Sequence, residues 1–513
     1  MKKYLLLIKS QIILTILLYL LEVLITSVML TLPGYLIDHF KCNSSQIFWM
    51  ISVYFGLFII YLVVCYFSNR VADYRRVKFE KAIKKDFFNN IMERRYTEYH
   101  EYNIREYLSM QSNDITEMCQ NYLSPVLSIF RSFIMLIVFG FFLVYFVNFF
   151  IALTIILFSC MAVLVPKLTS KNLAKKNGIL SRKIGKYTQD INLFFEAHDI
   201  LNRKEIKRIE EIHEIRLNEV SDYNMNFRKL NSTAMVLNGG IVEFISVLSF
   251  SLTAILLFKH EITIGMATTT FIYSTKFMEP ISELNINIGR IKSVSEIQNK
   301  LCKLLALSTT KKRKIGDELK IIESKNIGKK LSGRYITYED MRFVYPNKYL
   351  ICGDNGSGKS VFFRLLMGFL EPDHGKILYN GQEHVDIDNY IGYVPQNSII
   401  FNTDYENNIS IFGTYKTTKL SFFESFFPQD IIEHIKKSDN IDLLSGGEKQ
   451  VIMLLRALCS EKPILLLDEP FSAMNQTVIN KFMNNMDKID CMMIIIAHNV
   501  SDYIDKFDSK FSV

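Results

Sequence analysis

The sequence has no cysteine pairs. Its eight cysteines are scattered from Cys42 to Cys491, with none at the short spacing of a metal site or a redox dithiol, so neither zinc nor a disulfide framework is expected to organise the fold. They read as small apolar residues in a reducing cytosol or a bilayer. The amino end, MKKYLLLIKSQIILTILLYLLEVLITSVML, has no small-residue cleavage site, and its apolar run outlasts a signal-peptide core. It reads as a first transmembrane helix. A single ordinary core is also excluded, because 513 residues suggest roughly two to four domains. Mean hydropathy is only +0.14, but the apolar runs crowd into the amino-terminal half. The net charge of +8 gathers beside those runs, the pattern of cytoplasmic flanks of membrane spans, so nucleic acid is not an expected partner.

A helix crossing about 30 Å of hydrocarbon needs about 20 apolar residues. Residues 11–36 and 47–67 each supply them, joined by the short polar DHFKCNSSQ. Residues 126–166 are apolar except for Arg131 and Asn148 and are long enough for two crossings turning at Asn148. A fifth span runs from about Ala234 to Phe258, and a sixth from about Met266 towards Ile288. Between spans two and three lie Arg70, Arg75, Arg76, Lys78, Lys81, Lys84, Lys85, Arg94, Arg95 and Arg105. A comparably basic segment, Lys167 to Lys229, separates spans four and five. The outer connections carry only Lys41 and Lys259, which puts the long loops and both termini in the cytoplasm. Periodic apolar and charged residues in those loops suggest that the spans continue as helices beyond the membrane.

The sixth span carries Lys276, Glu279 and Glu283 at i, i+3 and i+7, on one helical face. An unpaired Lys at mid-bilayer costs about 2.5 to 3.5 kcal/mol, so that face is expected to look into a cavity, and Glu243 in span five invites the same reading. Lys276 and Glu243 are thus candidates for a substrate pathway. The alternative is that Lys276 pairs with Glu279 or Glu283 structurally, or that these charges lie at the membrane edge.

After KKRK at 311–314 the composition becomes that of a soluble α/β domain. YLICGDNGSGKSVFFRLLMGF gives an apolar strand, a Gly-rich turn and a helix, with Gly353, Gly358, Lys359 and Ser360 satisfying G-x-x-x-x-G-K-[ST]. Glycines let successive N–H groups curl round phosphates, and the helix start aims its positive dipole end at them. Lys359 supplies a point charge to the β- and γ-phosphates, and Ser360 a hydroxyl for Mg²⁺. Further on, KPILLLDEP reads as a buried parallel strand ending in Asp468, suited to a Mg²⁺ site, and Glu469, placed to orient or deprotonate the attacking water. LSGGEKQVIMLLRALCSEK opens an amphipathic helix with a capping box, Ser445 and Glu448. Two phosphate-binding helix starts exceed what one ATP needs in one domain; a dimer in which each covers its neighbour's nucleotide uses both.

Over nearly its whole length the sequence resembles the ATP-binding cassette exporters. GDNGSGKS matches the Walker A motif, YVPQN the glutamine loop, LSGGEKQ the signature, ILLLDEP Walker B, and IIIAHN the switch histidine. The resemblance implies ATP contacts from Gly353, Asp354, Asn355, Gly356, Ser357, Gly358, Lys359, Ser360 and Val361, with Ser445, Gly446 and Gly447 serving a partner's nucleotide. It implies Mg²⁺ at Ser360, Gln396 and Asp468, and catalysis by Glu469 with His498. SNDITEM around Asp114 and FFEAHDI around Glu196 look like its two coupling helices. There are departures. The aromatic residue that the family places some two dozen positions before Walker A falls in KNIGKKL, which has no ring, leaving Tyr335 or Tyr338 as substitutes. Asn475 stands where Asp is usual, the stretch from Gln396 to Ser445 is short, and the chain stops soon after His498.

The expected architecture is a multi-pass all-α membrane domain of six helices (1–305), a linker (306–318) and an α/β P-loop domain (319–513). The expected function is ATP-driven export across the cell membrane by a homodimer or by a heterodimer with a second half-transporter, with membrane lipid as surroundings. The cargo is not legible: peptide, lipid or hydrophobic small molecule. No appended peptidase-like domain is expected, so a peptide cargo would have to be matured elsewhere. The rival is an ATP-gated regulatory or signalling membrane protein of the same fold that moves no cargo.

Overall fold

The structure is a computed structural model that describes residues 2–39, 44–147, 149–154, 164–306, 313–314, 318–331, 333–354, 356–383, 385–387, 389–438, 443–497 and 501–513. It divides into two compact units: Met1–Glu93 with Asn103–Leu307, and Arg94–Tyr102 with Ser308–Val513.

The first unit is helical. Its long helices are α1 (Lys9–Asp38), α2 (Ser44–Met92), α3 (Ile115–Phe146), α4 (Leu164–Glu196) and α5 (Arg203–Phe258), followed by the shorter α6 (Ile264–Lys276), α7 (Met278–Ser293) and α8 (Ser295–Leu304). Four helical stretches among the described residues are long and apolar enough to cross a membrane: Lys9–Asp38, Ile47–Met92, Ile104–Phe146 and Arg203–Phe258. They coincide with spans one, two, three and five. The turn at Asn148 and most of span four lie outside the described residues. Span six is divided between α6 and α7, with the interruption at Phe277, where Pro280 has no N–H to give the carbonyl of Lys276. At 1.5 Å per residue, the 49 residues of α2 run about 74 Å and the 56 of α5 about 84 Å, far more than a bilayer requires.

Packing within this unit rests on small residues and a few rings. A Cβ on Gly34 would collide with the Gly265 carbonyl, so α1 and α6 approach as only glycine permits. Asp38 accepts the Gly265 N–H at 2.7 Å, and the Tyr273 hydroxyl donates to the Ser27 carbonyl at 2.9 Å. Val23, Phe139, Leu143, Tyr273 and Ile281 form the core between α1, α3, α6 and α7.

The second unit is α/β. A four-stranded antiparallel sheet has β1 (Ile321–Leu331) paired with β2 (Arg334–Thr337), β3 (Met341–Val344) and, further on, β5 (His374–Tyr379). The parallel sheet contains β4 (Lys348–Cys352), β6 (Ile391–Val394), β7 (Ile464–Asp468), β8 (Met492–Ile496) and β9 (Ser509–Ser512), in the order β9-β4-β8-β7-β6. Strands β7 and β8 are buried at every residue, as expected of parallel strands covered on both faces. Helix α9 (Lys359–Leu366) follows β4, α10 (Gly446–Cys459) precedes β7, and α11 (Gln476–Met483) follows it. One apolar core joins α10, α11 and the β7–β8 face that carries Leu465 and Ile495, and a second joins α9 to the antiparallel sheet.

Candidate nucleotide-binding site

Strand register assembles the site. Ile496 of β8 is level with Ile351 of β4 on one side and with Asp468 of β7 on the other. The strand that feeds the Gly-rich loop and the strand that ends in the acidic pair therefore finish on the same rung. On β6, Val394 is level with Leu467, which brings Gln396 to the end of β7.

Gly353 has φ +155°, and a Cβ there would collide with the Val513 carbonyl; Gly358, at φ +113°, caps α9 in a conformation that a side chain resists. Lys359 is 7% exposed and donates to the Gly353 and Asp354 carbonyls at 2.7 and 2.9 Å, so its ammonium is folded over the loop. The Ser357 hydroxyl is buried without a partner, an orphaned polar atom inside a loop shaped to receive anionic oxygens. Ser360 and Val361 lie in the first turn of α9, with Val361 packed on the core. Asn355 and His498 lie outside the described residues.

Asp468 is 3% exposed. Burial raises its carboxyl above the ordinary range, opposed by hydrogen bonds from Ser360 and from Tyr393, whose hydroxyl donates at 3.3 Å. A buried carboxylate meeting the Walker A hydroxyl fits a hard divalent cation, which would relieve the desolvation. Glu469 follows at φ +50°, an uncommon conformation for a residue with a side chain, held by its N–H to the Ile496 carbonyl at 2.8 Å. Its carboxylate accepts from Gln396 Nε2 at 2.9 Å. Ser360, Gln396, Asp468 and Glu469 thus form a linked polar series beside the loop.

The signature begins α10 as the sequence implies. Ser445 accepts the Glu448 N–H at 3.3 Å, and Glu448 accepts the Ser445 N–H at 2.8 Å and its hydroxyl at 2.7 Å. Cβ atoms on Gly446 and Gly447 would press on Ala473, and Gln450 bonds to Ser472 Oγ and the Ala473 N–H at 2.8 and 3.0 Å. The signature is therefore braced on the segment after β7. Asn475 caps α11 by accepting from Val478 N.

Three expectations change. Tyr338 is 6% exposed, packs on Phe362, and its hydroxyl donates to the Gly358 carbonyl at 3.0 Å, so it supports the loop from below and offers no free ring. Tyr335 lies over Gly328 of β1. The segment around Asp114 is a π-turn inside continuous helix; the chain reverses earlier, at Arg94–Tyr102, which belongs to the α/β unit. There the Tyr96 ring stacks on Phe369 at 4.9 Å, and Arg364 sits 5.7 Å from its centroid. Lys276 pairs with Glu279 at 3.3 Å, both side chains being about half exposed, and Glu243 is exposed on α5. The charges that meet inside the helical unit are Arg131 with Glu22 at 2.7 Å and with Glu283 at 3.4 Å, Ser132 also donating to Glu283 at 3.1 Å.

A strand, a Gly-rich loop and a helix beside an acidic strand end define a P-loop ATP-binding domain. Residues 340–472 match the ABC transporter family. A thiamine import ATP-binding protein of Yersinia pestis is 31% identical over 175 residues, 32% of this chain and 74% of that protein. An export ATP-binding/permease protein of Rickettsia typhi is 37% identical over 183 residues, 31% of this chain and 32% of that protein. The ATP-dependent lipid A-core flippase of Wigglesworthia glossinidia brevipalpis is 28% identical over 385 residues, 65% of this chain and 61% of that protein. The chain belongs to the ABC transporter family. It spans about a third of the length of the Rickettsia relative it matches. It is a membrane protein with a cytoplasmic ATP-binding domain, of a family that generally takes ATP with Mg²⁺.

Proposed function

We propose that this chain is one half of an ATP-driven exporter, in which a pair of cassettes closes on ATP, reopens on hydrolysis and so drives alternating access in the spans. The observation that carries this reading is the convergence of Ser360, Gln396, Asp468 and Glu469 beside the phosphate loop of a polypeptide with four membrane-length helices among its described residues.

Roles follow from chemistry. Loop N–H groups from Gly353 to Val361, including Asn355, would cradle the phosphates, and Lys359 would exchange its two carbonyl partners for phosphate oxygens. Ser360, Asp468 and Gln396 would hold Mg²⁺, which when bound neutralises charge on the β- and γ-phosphates. Glu469 would take the proton from the attacking water, and His498, by family resemblance, would hold the γ-phosphate. Gly446 and Gly447 pack on Ala473 in their own domain, so a second copy or another half-transporter would receive them, with Ser445, over its nucleotide. The arm formed by α4 and α5 supports pairing, because Leu193, Phe195, Ile200 and Ile215 are exposed along it. Arg94–Tyr102, stacked on Phe369 beside α9, and His198–Ile200, between α4 and α5, are suited to carry motion to the helices.

Both termini would be cytoplasmic, and the linker would fall within 306–318. Lys276 and Glu243 remain the proposed pathway residues. The cargo class stays open among peptides, lipids and hydrophobic small molecules; the resemblance to a lipid A-core flippase makes lipid the first choice for an assay. The test is ATP-dependent movement of labelled lipid in proteoliposomes. Flux that Lys359→Ala abolishes, by removing the cation of the phosphate loop, would support export. Lys359-dependent turnover without cargo dependence would favour the ATP-gated regulatory protein, and unchanged turnover in Lys359→Ala would remove that residue from its role.

A further inference from the structure

A nucleotide held by its phosphates leaves its base to be seated, and the strand register at the phosphate loop determines which side chains can do so. With hydrolysis assigned to Glu469, the γ-phosphate end lies towards Asp468 and Gln396, and the base leaves on the other side of the loop. That side carries the β1–β2 hairpin. Side chains alternate along β2, and the face bearing Arg334 and Ile336, continued by Tyr338 just beyond the strand, looks onto the loop. Arg334 Nη1 donates to the Gly356 carbonyl at 3.2 Å, a Cβ on Gly358 would meet Ile336 at 3.0 Å, and Tyr338 holds the Gly358 carbonyl. Tyr335 belongs to the opposite face. Among the described residues the only ring on the loop-facing side is therefore the buried Tyr338, and its face is spent on Phe362.

We propose that Arg334 supplies the planar surface on which the base of the nucleotide stacks, in the place of an aromatic ring. Three features fit. Arg334 is exposed, so its guanidinium plane is accessible. It is tethered at the loop rather than swinging in solvent. Leu331 is its direct partner across the hairpin, which puts an apolar side chain next to the guanidinium at the hairpin end. A guanidinium stacks on π-faces through its own plane, whereas an ammonium has no plane to offer. This inference rests on the ATP-binding reading above.

The test compares ADP with inorganic pyrophosphate, each with Mg²⁺, by calorimetry on the full chain in detergent. The two ligands share the diphosphate and differ by the nucleoside, and neither is turned over. Arg334→Ala should weaken ADP by about 5- to 30-fold, the range for losing one cation–π or stacking contact, and leave pyrophosphate within about twofold. Unaltered pyrophosphate binding also shows that the loop remains folded. Arg334→Tyr should restore ADP affinity and Arg334→Lys should not. Equal losses for both ligands with rescue by Arg334→Lys would overturn the proposal and make Arg334 a phosphate-binding cation. Unchanged ADP affinity in Arg334→Ala would overturn it while leaving the ATP-binding reading intact. Failure of the parent chain to bind either ligand would bring down both.

Discussion

Replacing Glu469 by Gln separates binding from chemistry. The substitution keeps the side chain's length, and the Gln carbonyl can still accept from Gln396 Nε2, now at 2.9 Å from the carboxylate. The backbone at φ +50° is strained alike in parent and variant, since neither residue is glycine, so stability should change by no more than about 0.5 kcal/mol. Asp468 keeps its hydrogen bonds with Ser360 and Tyr393, and Lys359 stays over the loop. What disappears is the proton acceptor. Loss of a general base lowers the rate by about 10² to 10⁴, or about 2.7 to 5.4 kcal/mol of barrier. Single-turnover phosphate release should show that fall while ATP affinity is retained, and the variant should accumulate as an ATP-bound closed dimer. A cysteine pair between the Ser445 region and the partner's Walker A loop should then cross-link more readily with ATP. Burial pushes the native Cys459 and Cys491 thiols up to about 11, which keeps both out of that reaction. If the chain pairs with a different half-transporter, the cross-link requires that partner. Hydrolysis at the parent rate would refute the assignment of Glu469, and lost ATP binding would move the carboxylate to the metal site.

Arg131→Met leaves the Glu22 and Glu283 carboxylates facing each other in the helical unit and should cost about 3 kcal/mol, read as a lowered melting temperature in detergent. Neutralising both acids in the same chain should recover most of the loss, and a melting temperature unchanged in the single variant would refute the pairing. Lys276→Leu should alter cargo-stimulated ATPase activity more than basal turnover if this residue lines the pathway. Equal effects on folding yield and on both activities would mark its pair with Glu279 as structural.

The nucleotide site was legible because its elements are local. A buried parallel strand announces itself as an apolar run, so ILLLD before Glu469 and YLIC before Gly353 could be placed without tertiary information. The Ser445–Glu448 capping box was read from four residues and is present. The antiparallel sheet was not legible: β1, IIESKNIGKKL, mixes charges with a register shift near Gly328 and has no clean alternation. The base-facing side of β2 was hidden for the same reason, since alternation cannot be read until the pairing of Leu331 with Arg334 is known. The Arg94–Tyr102 reversal did leave a sign. Asn103 and Glu106 repeat the N-x-x-E pattern of Asn202 and Glu205, and both asparagines cap the helix that follows a chain reversal. The basic, tyrosine-rich segment before Asn103 reads as continuous helix only if that start signal is ignored.

The sixth span shows where periodicity reaches its limit. Placing Lys276, Glu279 and Glu283 on one face assumes an unbroken helix, but Pro280 falls among them and α6 gives way to α7 at Phe277. The acids then take different partners: Glu279 stays with Lys276, and Glu283 turns to Arg131 and Ser132 on α3. The signal for the second pairing was burial cost rather than spacing. Glu22 is the sole acid in the apolar run of α1 before Asp38, and Arg131 the sole base in α3. Two lone opposite charges in separate membrane-length runs are each expensive unless they meet. In this fold they do meet, and Glu283 joins them because the break at Phe277 frees it from the face that Lys276 defines.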